Sequence, residues 1–479
     1  MSARRVFSNS VLLLSAEVIE RILRLVLVIF AARLLGDEDY GKFTFALAFT
    51  SLFLIIADGG LHQLMTREIA RNQKEAQKYF ANAFFVKFFY AILMALLMYG
   101  SARLTGKPEK VLMAVYVMGA AQIIGSFSDF FASVFRAFQR MLYDVIATLI
   151  FGILIASVGI AILVQGYDYL TLTWVYFGAQ VVRLIYCVTT LRLRFLPIRI
   201  QFDAPTVKFL IREAFPFGVL YFFALMYTYI DSTMLSLMVG DEAVGWYNAA
   251  YRFIFAMVFI PVALMKAVFP ALSQYYKESQ ENFNRLFERS FKILFFIGFT
   301  LASLLFVLAD YVISIIFGQE YAPASGALKI LVWSTAIMFI GTVQTHTTRA
   351  SNHQGFTAKV VAVSAVLNLV LNFVLIPRYS LYGAALATFA SELFTFLFHF
   401  HYLARHLVVP PVMKLAPKIF LICFAVIVGG KYIATFSNLA VIPGVAIVVA
   451  LLLLVTRYFT REEVQFIKSF IKKPGEAII

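Results

Sequence analysis

Glu17, Glu20, Arg21 and Arg24 place four ionisable side chains within eight residues of an otherwise apolar stretch. At about 100° per residue they share an arc of about 100° on one helical face. Glu17–Arg21 and Glu20–Arg24 are both i,i+4 pairs with the acid on the favourable N-terminal side. Two chemistries fit this arrangement. The pairs can neutralise each other so that a polar helix enters an apolar medium, or they can open towards an anion on a cavity wall. A second group lies far along the chain. Asn248, Arg252 and Lys266 belong to one apolar run, and Arg252 and Lys266, fourteen residues apart, fall on nearly one stripe. Asp231 is the only charge in the apolar part of the preceding run and is a candidate partner for Arg252.

The elements that carry these charges are set by composition. Of 479 residues, 62% are hydrophobic and 14% charged, with a mean hydropathy of +0.85. A soluble chain has about 45–50% apolar and about 25% charged residues, which excludes a soluble enzyme. A spanning helix needs about 20 apolar residues. Runs between polar or Gly/Pro breaks give fourteen candidate spans: 11–32, 43–64, 80–99, 111–135, 144–164, 169–191, 213–239, 245–269, 290–309, 327–348, 357–376, 380–404, 413–434 and 438–459. The first span follows Arg4 and Arg5 without a small-residue cleavage site and is expected to be retained. Cys187 and Cys423 both lie in apolar runs and imply neither a disulfide nor a thiolate cluster.

The net charge of +15 resolves by position. Of the 41 Lys and Arg, 27 fall on one set of alternate connections, beginning with the N-terminal tail, and 8 on the other. The remaining six are Arg21, Arg24, Lys87, Arg183, Arg252 and Lys266. This asymmetry predicts cytoplasmic N- and C-termini and an acidic outer face, and it makes nucleic acid an unneeded partner.

Two motifs recur. Gly36-Asp37-Glu38 with Gly41 returns as Gly240-Asp241-Glu242 with Gly245, and Arg136-Ala137-Phe138-Gln139-Arg140 pairs with Arg349-Ala350-Ser351-Asn352-His353. Six spans per repeat is an even number, so the copies are parallel repeats. The expected fold is all-α and polytopic, with two six-helix lobes plus two C-terminal helices. The divisions fall at 1–196 (first lobe), 197–212 (basic interfacial linker), 213–406 (second lobe) and 407–479 (spans thirteen, fourteen and the tail). In each repeat the glycine can end one helix and the aspartate cap the next, or the pair can touch substrate.

With these motifs in place the chain resembles the polysaccharide flippases, the oligosaccharide-lipid branch of the superfamily that also holds multidrug extruders and lipid II flippases. The resemblance is carried by Ala32-Arg33-Leu34-Leu35-Gly36-Asp37-Glu38-Asp39-Tyr40-Gly41, Ala57-Asp58-Gly59-Gly60-Leu61 and Arg67-Glu68-Ile69-Ala70-Arg71. It continues through Pro216-Phe217-Gly218, Tyr229-Ile230-Asp231, Val244-Gly245-Trp246-Tyr247, Phe269-Pro270-Ala271, Leu367-Asn368 and Gly383-Ala384-Ala385. It implies translocation of a polyprenyl-diphosphate-linked oligosaccharide from the cytoplasmic to the outer leaflet, by alternating access through a cationic central cavity, for cell-surface polysaccharide synthesis. Similarity to lipid II flippases implies cavity roles for Arg21, Arg24 and Arg252.

The substrate-binding candidates are therefore Arg21, Arg24, Arg252, Glu17, Glu20, Asn248, Asp231 and Lys266. A guanidinium suits the diphosphate because its planar fork pairs phosphate oxygens bidentately and never loses its charge. A cation-coupled multidrug exporter and a lipid II-type flippase are the alternatives. Neither catalytic residues, a cofactor nor a metal site is expected; His399 and His401 are two apart and point to different faces of a helix. The expected location is the cytoplasmic membrane. Expected partners are the lipid-linked glycan and membrane lipids, with a polysaccharide polymerase, glycosyltransferases and a coupling ion as further candidates.

Overall fold

The computed structural model describes residues 3–456, 458–460 and 463, with side chains from Ala16 onward except Glu17, Leu454 and Val455. Among these residues the chain is helical throughout, without strands. The helices are α1 (Ala3–Leu52), α2 (Leu54–Asp58), α3 (Leu61–Arg71), α4 (Ala76–Leu104), α5 (Glu109–Ala137), α6 (Met141–Val164) and α7 (Tyr169–Arg194). They continue as α8 (Ala204–Met238), α9 (Asp241–Glu278), α10 (Gln280–Ile316), α11 (Ala322–Ala350), α12 (Gln354–His406), α13 (Val412–Ala434) and α14 (Asn438–Thr456). Ten helical segments are long and apolar enough to cross a membrane, and α14 holds a shorter apolar stretch. This is a polytopic all-α membrane fold.

Two helices each hold more than one expected span. α1 bends at Gly36 (φ 77°) between the first span and the start of the second. α12 turns back on itself at Ser380 (φ 53°), three residues after Pro377. A Cβ on Gly383 would lie 2.3 Å from the Leu375 carbonyl oxygen, so this turn closes backbone against backbone. The second span, expected as one run over 43–64, is broken instead. α2 ends at Asp58, Gly59 and Gly60 take φ of 56° and 82°, and α3 begins at Leu61. Left-handed backbone is open to glycine without the steric cost a Cβ would bring, so the pair divides an otherwise helical apolar run. A Cβ on Gly60 would lie 2.5 Å from the Ala214 carbonyl oxygen, so the break also seats α8 directly on the backbone.

The chain forms two compact units, Met1–Gly245 and Trp246–Ile479. In the first, α1 packs on α6 and α8, and α5 packs on α7. Its core centres on Phe80, Phe130, Phe131 and Phe135 with Leu61, Leu64 and Met65 from α3. In the second, α10 packs on α11 and α13. Phe283, Phe287, Phe291 and Phe295 repeat every fourth residue along α10 and belong to one core cluster with Ile422, Val426, Val441 and Val445. Large apolar side chains left exposed, such as Phe88, Leu96, Ile153, Phe373 and Phe420, are those a bilayer would cover.

The recurring motifs have recurring geometry. Gln139 and Asn352 are non-glycine residues with φ of 58° and 61°. In the first copy Arg140 N donates to Phe135 O at 2.9 Å, and in the second His353 N donates to Thr348 O at 2.9 Å. The same six-residue helix-ending turn is thus built twice, 213 positions apart. The Gly-Asp-Glu copies meet within the first unit. A Cβ on Gly41 would lie 1.8 Å from the Asp241 carbonyl oxygen, and one on Gly245 would lie 2.3 Å from that of Asp37. Each copy's second glycine receives the other copy's aspartate backbone.

Candidate functional site

On α1, Glu20 is buried against α6, where a Cβ added to Gly152 would come within 3.3 Å of its Cγ. That close approach fixes the carboxylate, and the carboxylate fixes Arg24. Arg24 Nε donates to Glu20 Oε1 at 2.9 Å, and Nη2 donates to the same oxygen. The Glu20 side chain is 11% exposed and that of Arg24 48%. One edge of the guanidinium is anchored while the rest of the fork is open. Tyr176 of α7 and Tyr229 of α8 stand within electrostatic range of it. Arg21 is also exposed. The side chain of Glu17 lies outside the described residues, so only the Glu20–Arg24 member of the two pairs is seen. Asp231, on α8 of the same unit, is buried.

The second unit holds Asn248, Arg252 and Lys266, all on α9. Asn248 and Arg252 are half-buried, and Lys266 is exposed. Arg252 Nε is a buried donor that has no acceptor among the described residues. The Nε atoms of Arg136 and Arg183 likewise have no acceptor among the described residues, although both arginines pair through their other nitrogens. Lys266 lies within electrostatic range of His346, as does Arg349. His399 is buried, bonded through Nδ1 to Thr395 O at 2.9 Å, and no cluster of three metal-ligating side chains occurs among the described residues.

A third ionisable group, in the first unit, was not assembled from the sequence. Lys87 is fully buried. Its ammonium donates to Ala57 O (3.1 Å) and Ser126 Oγ (2.7 Å) and stands 3.6 Å from Asp58 Oδ1. Asp58 Oδ2 accepts from the Gly60 amide (3.1 Å) and pairs with His62 Nδ1 (2.7 Å). Nearby, Arg183 of α7 donates to Asp129 Oδ1 of α5 at 2.6 Å. Lys87 and Arg183 are therefore partnered, as two intramembrane cations must be. The available signal was Asp58-Gly59-Gly60 in mid-run, a carboxylate beside two helix-breaking residues. The 54-residue separation of Asp129 and Arg183 left no local signal.

Comparison with known proteins adds to this geometry. The family described as "polysaccharide biosynthesis protein" matches residues 6–276, and the MatE family matches residues 216–374. A probable low-salt glycan biosynthesis flippase of Haloferax volcanii is 27% identical over 179 residues, 37% of this chain and 38% of that protein. The chain thus aligns with well under half the length of that relative. A putative O-antigen transporter of Shigella dysenteriae is 23% identical over 372 residues, 77% of this chain and 92% of that protein. Among solved structures, the lipid II flippase MurJ in an inward closed conformation superposes with a TM-score of 0.77 at 13% identity, over 93% of this chain and 98% of that one. At that identity the likeness is one of fold.

Proposed function

This chain belongs to the polysaccharide biosynthesis protein family, and from that premise we propose that it is a flippase for polyprenyl-diphosphate-linked oligosaccharides. It moves the polar head from the cytoplasmic to the outer leaflet by alternating access, with arginines receiving the diphosphate. The observation that carries this reading is the half-exposed Arg24, tethered along one edge by a buried glutamate. An anchored guanidinium loses little rotamer freedom when it binds, and its free edge presents paired donors to phosphate oxygens. Arg252, half-buried on α9, is the candidate for a second anion contact.

The prenyl chain needs only an apolar path. An apolar groove of about 320 Å³ lined by Phe296, Leu301 and Leu304 of α10 and by Ile442, Val445 and Val449 of α14 offers part of one. A drug exporter would need an acidic site for organic cations, whereas among the described side chains of the first span, 11–32, the exposed charges are Arg21 and Arg24. In this reading the protein sits in the cytoplasmic membrane with cytoplasmic termini. Glycosyltransferases supply its cargo and a polymerase consumes it.

The test is translocation of a fluorescent polyprenyl-diphosphate oligosaccharide in vesicles holding the purified protein. Removing one partner of a buried or half-buried charge contact costs about 2–5 kcal/mol. Arg24→Ala and Arg252→Ala should therefore each lower the rate at least tenfold; Arg24→Ala should also lower the thermal unfolding midpoint, because it strands the buried Glu20 carboxylate, while Arg252→Ala should leave it unchanged. Wild-type rates in both variants would sink the assignment.

A further inference from the structure

Along α10, Arg289, Lys292, Phe296, Thr300 and Leu304 recur at intervals of three or four residues and share one face of the helix. Phe296, Thr300 and Leu304 line the apolar groove against α14. Arg289 and Lys292 line a cleft with Phe459 and Glu463, from the segment that follows α14. Phe296 joins the two, because its ring also packs on Tyr458 and Phe459 at 5.5 and 5.6 Å. At 1.5 Å per residue the stripe from Lys292 to Leu304 is about 18 Å long, cationic at one end and apolar along the rest. We propose that this cationic end binds the phosphate of an isoprenoid lipid whose chain lies in the groove, and that Glu463 fills the anion position until that lipid displaces it. The proposal deepens the flippase reading by placing a loading station for the cargo, and it rests on that reading only for the identity of the lipid.

The carboxylate of Glu463 shows what the cationic end accepts. Its Oε2 lies 2.6 Å from Lys292 Nζ and accepts from the Thr460 amide at 2.7 Å. Glu463 N donates back to Thr460 Oγ1 at 3.3 Å, a reciprocal cap that fixes the carboxylate in place. The two charged side chains are only 16% and 17% exposed. Lys292 is fixed as well. Its ammonium lies over the rings of Tyr458 and Phe459 at 5.5 and 5.6 Å, and Tyr458 OH donates to its carbonyl at 3.1 Å. An ammonium and a backbone amide converging on one oxygen, with a guanidinium on the cleft wall, suit a phosphate oxygen as they suit a carboxylate.

The continuity of charge and groove selects the occupant. A soluble anion would use the cationic end alone, and an uncharged lipid the groove alone, whereas a phosphate on an isoprenoid chain uses both. Glu463 competes from a tether, at a high effective concentration, so a ligand that brings only charge is held off. A diphosphate brings more negative charge than one carboxylate, and its chain adds burial of apolar surface along Phe296, Leu301 and Leu304. The exchange is of one anion for another at the same donors. Tyr458, 1% exposed and bonded to the backbone of α10, keeps the segment attached while Glu463 leaves.

Photo-cross-linking tests this without any glycan. Full-length protein in phosphatidylcholine nanodiscs is irradiated with a benzophenone-tagged geranylgeranyl diphosphate, and the label on α10 and α14 is read by mass spectrometry. Glu463→Gln keeps an oxygen for the Thr460 amide but removes the competing charge, and should raise that label at least fivefold. A gain of this kind cannot arise from misfolding. Lys292→Gln should lower the label at least fivefold, and the tagged alcohol without phosphate should label wild type and Glu463→Gln alike. Untagged geranylgeranyl diphosphate should compete, whereas inorganic diphosphate or dioleoylphosphatidylglycerol at the same concentration should not. Equal labelling of wild type, Glu463→Gln and Lys292→Gln would overturn the site. Competition by inorganic diphosphate would make it a free-anion site, and competition by phosphatidylglycerol a general lipid site; either overturns the proposal. Labelling as expected in a protein that moves no glycan in vesicles would count against the flippase reading alone.

Discussion

At the scale of single residues, the distinction that matters is between charges that are paired and sealed and charges that are paired and open. Lys87 belongs to the first kind, and Arg24 to the second. Deleting one partner of a buried pair strands the other charge, at a cost of about 3–5 kcal/mol. Lys87→Met should therefore lower the thermal unfolding midpoint strongly, and adding Asp58→Asn should recover part of the loss. Additive losses in that double-mutant cycle would mean that the pair does not interact. For Arg24 the expectation is functional. Arg24→Lys keeps the charge but loses the fork, so translocation should fall between wild type and Arg24→Ala, with stability unchanged. The Glu20–Arg24 pair was legible in the sequence because its partners are four residues apart on one helix. The partners of Lys87 and Arg183 come from other helices, and a single helical pattern holds no record of them.

At the scale of elements, apolar runs located the helices, because lipid leaves the backbone no other way to satisfy its hydrogen bonds. The break at Gly59–Gly60 was hidden by the apolar residues on both sides of it, Ile55 to Ala57 before and Leu61, Leu64 and Met65 after. The repeated glycines were legible as a motif, but their use was not. Gly41 and Gly245 serve close backbone approach, which needs both copies in space. Gly41→Leu or Gly245→Leu must push the backbones apart, and overpacking of this kind costs about 1–3 kcal/mol. Each should lower the unfolding midpoint, and the double variant should lose less than the sum, because one separation relieves both clashes. The N-terminal end of α7 has a pH dependence. Burial raises the Asp168 carboxyl, but the Lys110 ammonium and the Thr171 amide and hydroxyl outweigh it and hold it down to about 2. The folded-state value lies below the ordinary 3.8, so this contribution is complete above about pH 4 and fades as pH falls towards 2. Both partners are more than a third exposed, so screening keeps the effect to no more than about 1 kcal/mol. Asp168→Asn should flatten the unfolding midpoint between pH 4 and pH 2.

At the scale of the whole molecule, the excess of cations on alternate connections predicts cytoplasmic termini. Tags at both termini should be accessible only from the cytoplasmic side in intact cells, and a tag readable from outside would reverse the assignment. The family was legible because its motifs are short and ordered along the chain. The partners of Lys87 and Arg183 were not, because those contacts join different helices, and that has a consequence in time. Asp129 enters the membrane on α5, while Arg183 lies 54 residues later on α7. At about 5–20 residues per second the carboxylate waits some seconds for its cation. A nascent chain cut short before α7 therefore carries an intramembrane acid without the guanidinium that bonds it, a defect that membrane quality control can recognise. Such a truncation should turn over quickly in pulse-chase labelling, and Asp129→Asn should prolong its life.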